Sequence, residues 1–430
     1  VSRRSIGWAA ALASLVLVLS QETAHAASIQ PELISIPDGG GLALGDTEDP
    51  EVSADGRFVV FQSLADNLVP GDTNGWYDVF LRDRTLGTTI RISTGYDGTD
   101  NPDGATSPAI SADGRFIAFD SYAENLVPDD SNGEADVFVY DRLSGKNTLA
   151  SLTSTGLQAI KNSYSPSLSA DGRYVAFSTH ARNLLQSERN GPRLPDIVVR
   201  DMLLGTTTQI SLDPNGVGGT GTHLDPQVSA DGRHVAFISS SRDLVGDATY
   251  GYGVFLRDLQ TGVTTRAART STGTPAVDIY EYAMSPDARY LSFATPRTDV
   301  VAGDLNGATD VFFRDLTAGT TELISIADDG TQGDGDSGGP AVTLSGGCVV
   351  FTSVAATLVP GDTNAAWDIF VRDRTAGTTT RLSGNAPAGH SWSPRLTPDG
   401  ATAVFHTYAP LDPSDTNGAF DAYALNPGCP

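Results

Sequence analysis

The sequence predicts an all-β fold, a seven-bladed β-propeller of four-stranded antiparallel blades whose ring is closed by an N-terminal strand completing the last blade. Three observations carry this. A Ser-Ala-Asp-Gly-Arg phrase, or a worn copy of it, is followed by an apolar run ending in phenylalanine seven times. The anchors Phe61, Phe119, Phe177, Phe237, Phe293, Phe351 and Phe405 are spaced 58, 58, 60, 56, 58 and 54 residues apart. Every copy is written in alternating or β-branched strand language without a helical period. The seventh copy carries three strands, while PELISIPDGG, ahead of the first copy, nearly repeats the TELISIADDG that ends the fifth blade.

The first copy shows the elements in order. Glu51 to Ser53 is extended, Ala54-Asp55-Gly56 is a tight turn, and Arg57 to Ser63 is rich in valine and phenylalanine, so the three form a hairpin. A longer loop with Pro70, Gly71, Asn74 and Gly75 leads to a third strand, Asp78 to Arg82. The turn RDRTLG then leads into a fourth, Thr88 to Thr94. One such sheet cannot bury both faces, so blades must stack, and a closed ring of seven removes every open side. Leu33 to Ile36 is the expected closing strand. Residues 27–430 therefore form one propeller domain.

Residues 1–26 read as a signal peptide. Arg3 and Arg4 precede an apolar run from Ala9 to Leu19, and Ala24-His25-Ala26 has the small-x-small form of a cleavage site. The protein is expected to be exported, to a periplasmic or extracellular compartment. Ser2-Arg3-Arg4 partly matches a twin-arginine signal, but Gly7 stands where that signal prefers an apolar residue, so the Sec and twin-arginine routes both stay open. No later segment is long and apolar enough to span a bilayer.

The net charge is -25 over 430 residues, and beyond the signal the only lysines are Lys146 and Lys161. A field of that sign argues against nucleic acid and against anionic membrane surfaces, and it admits cationic partners or divalent metals. It also serves solubility outside the cell. Two cysteines remain. Cys348 begins the second strand of blade six and Cys429 follows the third strand of blade seven, which places both toward one face of adjacent blades as a disulfide or as two thiols.

Strand order puts the tight turns on one face of the disc and the long connections on the other, which makes the long-loop face the candidate functional surface. Its strongest motif is D-x-N-x-x-x-D in five blades: Asp72, Asn74 and Asp78; Asp130, Asn132 and Asp136; Asp304, Asn306 and Asp310; Asp362, Asn364 and Asp368; Asp415, Asn417 and Asp421. Blade three replaces it with Ser187-Glu188-Arg189-Asn190, and blade four keeps Asp247 but has Thr249 and Gly253. Oxygen ligands two residues apart, a turn glycine and a later carboxylate suit Ca²⁺. The fifth positions, Trp76, Glu134, Ala308, Ala366 and Ala419, supply no consistent further ligand. The competing reading is Asx turns plus a carboxylate capping the third strand, with no cofactor required.

Around the channel, the connections between blades offer Glu48, Asp49, Ser107, Tyr164, His223, Asp225, Tyr280, Glu281, Tyr282, His390 and Trp392. Most precede a proline, at 50, 108, 166, 226, 340 or 394, which stiffens the approach to the innermost strand. Carboxylates, imidazoles and aromatic rings around a funnel are groups that bind a ligand or a metal. They also line ordinary hydrated channel mouths.

Residues 335–340 read Gly-Asp-Ser-Gly-Gly-Pro, similar to the nucleophile motif of chymotrypsin-like proteases, with Ser337 in the nucleophile's place. The string fails in context. None of His180, His223 and His234, the histidines between the signal and Ser337, stands in that family's histidine phrase, and the repeat register explains the string as a connection between blades. No G-x-S-x-G elbow, phosphate loop, H-E-x-x-H or C-x-x-C occurs.

The blade phrase S-x-D-G-R, an apolar run ending in Phe, then D-[VI]-[FVY] and R-D, resembles the repeats of the TolB-like propeller family over residues 28–430. The resemblance implies that Asp55-Gly56, Asp113-Gly114, Asp171-Gly172 and Asp231-Gly232 are turn residues, and that the protein is a periplasmic or extracellular propeller mediating protein contacts in the cell envelope. The TolB protein has an α/β domain ahead of its ring and shorter blades, so its partners do not carry over. The expectation is an exported non-catalytic monomer binding a protein or carbohydrate partner in the cell envelope through its long-loop face. The alternative is a lactonase-, lyase- or glycosidase-type propeller enzyme, which requires Glu48, Asp49, His223, Glu281 and His390 to converge.

Overall fold

In the first repeat, strands Thr47–Val52, Phe58–Ser63, Asp78–Asp83 and Thr88–Arg91 pair antiparallel in that order. Six further sheets repeat the pattern around a central channel lined by the innermost strands, so the computed structural model is a seven-bladed propeller. It describes residues 31–189, 191, 193–247, 249–384 and 389–429. The expected signal peptide, and Asn190 in the loop of blade three, lie outside these.

Each letter of the repeated phrase has a physical task. The Ser53 hydroxyl donates to Asp55 Oδ1 at 2.7 Å and accepts the Phe58 N–H at 3.0 Å, while Asp55 Oδ1 also accepts the Arg57 N–H. The turn is thereby closed from inside. Ala54 N–H donates to the Ala112 carbonyl of the next blade at 2.9 Å. The same bond runs from Ala112 to Ala170, Ala170 to Ala230, Ala230 to Pro286, and Leu344 to Pro398, stitching blades together at one end of the channel. Pro286 and Pro398 lack the N–H to continue it.

Glycine is required twice over at the next position. Gly114 has φ +65°, and a Cβ there would meet Cδ2 of Phe58 in the preceding blade at 2.3 Å. Gly172 stands in the same relation to Phe116, and Gly232 to Tyr174. Arg57 then reaches Asp83 of the third strand at 2.7 Å, and Arg115–Asp141, Arg173–Asp201, Arg233–Asp258 and Arg289–Asp315 repeat the clasp. These arginines are solvent-facing, so the clasps orient the hairpin more than they stabilise it.

All seven phenylalanine anchors are fully buried. Five stack on a phenylalanine of the third strand, as Phe61 does on Phe80 at 5.9 Å. Seven apolar clusters fill the seams, each drawn from two neighbouring blades; Phe58, Val60 and Leu81 of blade one meet Ile117 and Phe119 of blade two. Burying each such side chain contributes roughly 2–3 kcal/mol, so the seams hold the ring.

Closure follows the sequence expectation. Glu32–Leu33 pairs antiparallel with Asp421–Leu425, the third strand of blade seven. Ile34 N–H continues the ladder to the Ala422 carbonyl, and Ser35 reaches Asp421 at 2.5 Å. Cys348 and Cys429 form a disulfide with their Cα atoms 6.0 Å apart, tying the C-terminal tail to blade six.

Ser337 is a structural residue. Its hydroxyl donates to Ser353 Oγ at 2.8 Å, and it is 1% exposed. Thr47 with Ser63, Ser163 with Thr179 and Ser391 with Thr407 form the equivalent hydroxyl pair in their blades. The protease-like string is thus the start of an innermost strand, Ser337–Val342.

Candidate functional site

The prolines sit inside the innermost strands, not before them, and mark a repeated bulge. Asp49, Ser107, Ser165, Asp225 and Ser393 precede Pro50, Pro108, Pro166, Pro226 and Pro394, and all have φ between +47° and +56°. Gly339, before Pro340, has φ +53°. At each place the pairing register with the second strand shifts. Left-handed backbone at a non-glycine residue costs about 1–3 kcal/mol, and bulges re-aim side chains next to sites.

At four of these bulges the N–H is caught by the preceding blade. Gln62 Oε1 accepts from Ser107 at 3.0 Å, Asp120 Oδ1 from Ser165 at 3.1 Å, His406 Nδ1 from Asp49 at 3.3 Å, and Glu281 Oε2 from Gly339 at 2.5 Å. A polar brace therefore ties four blades to their predecessors along the channel wall. Asp120 is almost wholly buried and its carboxyl is pushed up by loss of solvent, against bonds from Ser165 N–H and the Ser107 and Thr106 hydroxyls. Burial likewise holds His406 down to about 4, so its imidazole is neutral and free to accept.

The channel is a cavity of about 1030 Å³. Of the candidates read from sequence, Asp49, Asp225, Tyr280, Glu281, Tyr282 and Trp392 line it. The Tyr282 hydroxyl donates to the Asp225 carbonyl at 2.6 Å. Trp392 stands opposite His406 in the strand pair, and its neighbour Ser393 donates to Asp49 Oδ1 at 2.8 Å. Asp49 is thus held by the residue that follows Trp392. Trp392 also packs on Trp367 at 4.9 Å between centroids and on His390 at 6.2 Å, and His390 Nδ1 accepts the Trp367 N–H. Deeper in, Arg395 Nε lies 2.5 Å from Glu51.

The other candidates lie apart. Glu48 sits between Tyr77 and Gln62, and burial raises its carboxyl. Tyr164 packs on His180, with its hydroxyl 3.3 Å from Nε2 and its phenol pushed up to about 12 by loss of solvent. His223 corrects the sequence reading: it is not at the mouth but wholly buried in the seam between blades three and four. Nε2 is 3.8 Å from Asp196, and neither ring nitrogen has a hydrogen-bond partner. It occupies the position of Thr47 and Ser163, so its innermost-strand register points it into the seam. Sequence reasoning missed Trp367, Glu51, Arg395, Asp120 and His406. The residue before each repeated proline was the signal that could have found the brace.

In the D-x-N-x-x-x-D loops, the asparagine and the last aspartate form one internal network. Asn74 Nδ2 donates to Asp78 Oδ2 at 2.7 Å and to the Asn101 carbonyl, while Asn74 Oδ1 accepts the Trp76 N–H. Asp78 Oδ1 accepts the Ser93 hydroxyl at 2.5 Å. Asp136 with Ser151, Asp310 with Ser325, Asp368 with Ser383 and Asp421 with Ser35 repeat this capping arrangement.

What meets the first aspartate differs between blades. In blade one, Arg91 Nη1 lies 3.1 Å from Asp72, 3.3 Å from Asp78 and 2.7 Å from Asp100, in the middle of the one three-carboxylate cluster found among the described residues. In blade six, Arg381 lies 2.8 Å from Asp362 and 3.4 Å from Asp368. In blade four, Arg266 holds Asp247 and fills the room left by Gly253, where a Cβ would meet its Nη1 at 2.3 Å. Blades two, five and seven have neutral donors instead: Gln158 to Asp130 at 2.6 Å, Gln332 to Asp304 at 3.0 Å and Tyr423 to Asp415 at 2.7 Å. Burial pushes Asp136 up to about 7, and Asp310 and Asp421 up to about 6.

Fold and site together define a seven-bladed propeller with an acidic, aromatic-lipped channel. No protein-family model and no curated protein matches the chain. Solved structures match its fold. The β-propeller domain of the Trilobed protease from Pyrococcus furiosus, which has an open velcro topology, aligns over 90% of this chain and 94% of its own, with 11% identity and a TM-score of 0.55. An oligogalacturonate lyase from Vibrio parahaemolyticus aligns over 93% and 96%, with 12% identity and a TM-score of 0.52. TolB from Acinetobacter baumannii aligns over 78% of this chain and 63% of its own, with 14% identity and a TM-score of 0.42. Identities this low speak to fold alone.

Proposed function

We propose that this protein is an exported, non-catalytic binding propeller that takes a carbohydrate at the channel mouth on its long-loop face. The observation that carries the reading is the Trp367–Trp392 pair lining the cavity, with Asp49 on the same wall held by Ser393, the residue after Trp392. A flat indole offers a sugar's apolar face a large rigid surface, and the carboxylate takes its hydroxyls. A protein partner would use the same lip less specifically.

The bonds that already engage the channel carboxylates support binding over catalysis. Glu51 is held by Arg395, Glu281 by the Gly339 N–H and Asp49 by Ser393, and His223 lies in a seam. Tryptophan fluorescence titrated with a glycan panel tests the reading. At least one oligosaccharide should bind without being cleaved, and Trp392→Ala should weaken it at least tenfold. Turnover of the bound sugar would move the protein to the enzyme class, and unchanged affinity in the variant would move the site elsewhere.

Calcium enters the proposal as a stabiliser of blades two, five and seven, where two carboxylates meet without an arginine; in blade five the buried Asp304 Oδ2 has no hydrogen-bond partner. Millimolar calcium should raise the melting temperature, and Asp304→Asn should reduce the gain. A melting temperature indifferent to calcium and to chelator removes it. Export is supported by the Cys348–Cys429 disulfide, since such bonds persist in oxidising compartments. Among the described residues no helix is long and apolar enough to cross a membrane. Fractionation of cells making the full chain tests the location.

A further inference from the structure

We infer that the channel mouth selects a carbohydrate bearing free ammonium groups, an oligomer of a deacetylated amino sugar, over neutral and uronic-acid oligomers. This rests on the carbohydrate reading above and adds a charge preference to it. Six carboxylates line the cavity, from Asp49, Glu51, Asp225, Asp278, Glu281 and Asp336. Arg395 is the one basic side chain among the described lining residues, and it is already engaged by Glu51.

A concave site with low-dielectric walls focuses the field of its own charges, and here the whole chain, at -25, adds to the same sign. A uronic acid entering this funnel would bring a negative charge against five further carboxylates, of which Asp278 has Arg297 at 3.9 Å and Asp49 and Glu281 share only the field of Arg395. An ammonium entering it meets both kinds of group that stabilise a desolvated cation: carboxylate oxygens, and the faces of Trp367 and Trp392. Tyr280, which lines the cavity at blade five and packs on Tyr252 at 5.4 Å, supplies a second aromatic surface. The spacing of aromatic sectors around one acidic cavity suits an oligomer better than a single sugar.

The backbone reinforces the assignment. Asp49 and Asp225 are aspartates held in the left-handed region at φ +47° and +50°, where glycine or asparagine would be less strained. At the equivalent bulges stand Ser107, Ser165 and Ser393, so the fold tolerates a neutral residue there. Two of the bulges nonetheless point carboxylates into the cavity.

Isothermal titration with hexamers of glucosamine, glucose and galacturonate tests the inference at pH 6 and 50 mM salt. The glucosamine hexamer should bind about tenfold or more tighter than the glucose hexamer, and the gap should narrow at 500 mM salt as the field is screened. Galacturonate should bind weakest. Glu281→Gln, which keeps an acceptor for the Gly339 N–H, should shrink the gap, and Trp392→Ala should weaken glucosamine and glucose hexamers alike. Equal affinity for those two overturns the ammonium preference and leaves the carbohydrate reading standing. Tightest binding of galacturonate overturns the preference outright. If no oligomer in a wide glycan panel binds, both readings fall.

Discussion

Replacing His223 by serine should change how stability depends on pH by an amount the structure sets. The ring is fully buried, and burial lowers its pKa from 6.5 to about 4. A folded value below the unfolded one means that His223 contributes stability fully above about pH 6.5, and that this is lost as pH falls through about 4. Integrated over that window, the loss is about 3 kcal/mol by pH 4. The charged groups nearest the ring, Asp196 at 3.8 Å and Asp243, favour the protonated form but do not overcome its desolvation. Serine removes the titration and restores the hydroxyl found at Thr47 and Ser163. The buried aspartates act the other way: Asp136, Asp310 and Asp421 have raised values, so their contribution is full below 3.8 and is lost as pH rises through about 6–7. They are common to both proteins and cancel in the difference. Urea unfolding at pH 7.5 and pH 4 should show the parent losing about 3 kcal/mol more than His223→Ser. Parallel pH profiles would refute the reasoning.

Deleting residues 31–37 leaves the edge of Asp421–Leu425 unpaired and removes Ser35 from Asp421, so the truncated protein should aggregate or unfold cooperatively at lower urea; an unchanged midpoint contradicts closure. Ala288 and Ala365 sit at φ +57° and +53°, where equivalent repeats have glycine, so Ala288→Gly and Ala365→Gly should each stabilise by about 1 kcal/mol in thermal melts. Ser337→Ala should cost about 1 kcal/mol through the lost Ser353 bond, and an active-site serine probe should leave Ser337 unlabelled. Reducing Cys348–Cys429, 81 residues apart, should cost up to about 4 kcal/mol in unfolding experiments with and without reductant.

The ring was legible because the same phrase has the same tasks in successive blades, and repetition exposes tasks that a single copy hides. Register to the anchors also unmasked Ser337, whose hydroxyl partner recurs in three other blades. The closing strand was legible from the near-identity of PELIS and TELIS. Side-chain destination was harder. His223 shares a segment with the channel-facing Asp225, yet a two-residue offset and a bulge send one into a seam and the other into the cavity. The left-handed bulges were opaque because serine and aspartate before proline read as ordinary extended backbone. Arg91, Arg266 and Arg381 close the outermost strands of their blades, and their role emerged only when each guanidinium was found against the loop aspartates.

The most direct test of the account is a crystal structure with a bound oligosaccharide chosen by titration. The account predicts a sugar ring stacked on the Trp367–Trp392 pair, with Asp49 within hydrogen-bond distance of its polar groups and the chain running into the channel. A sugar bound on the turn face or the outer rim, with the channel mouth empty, would contradict it.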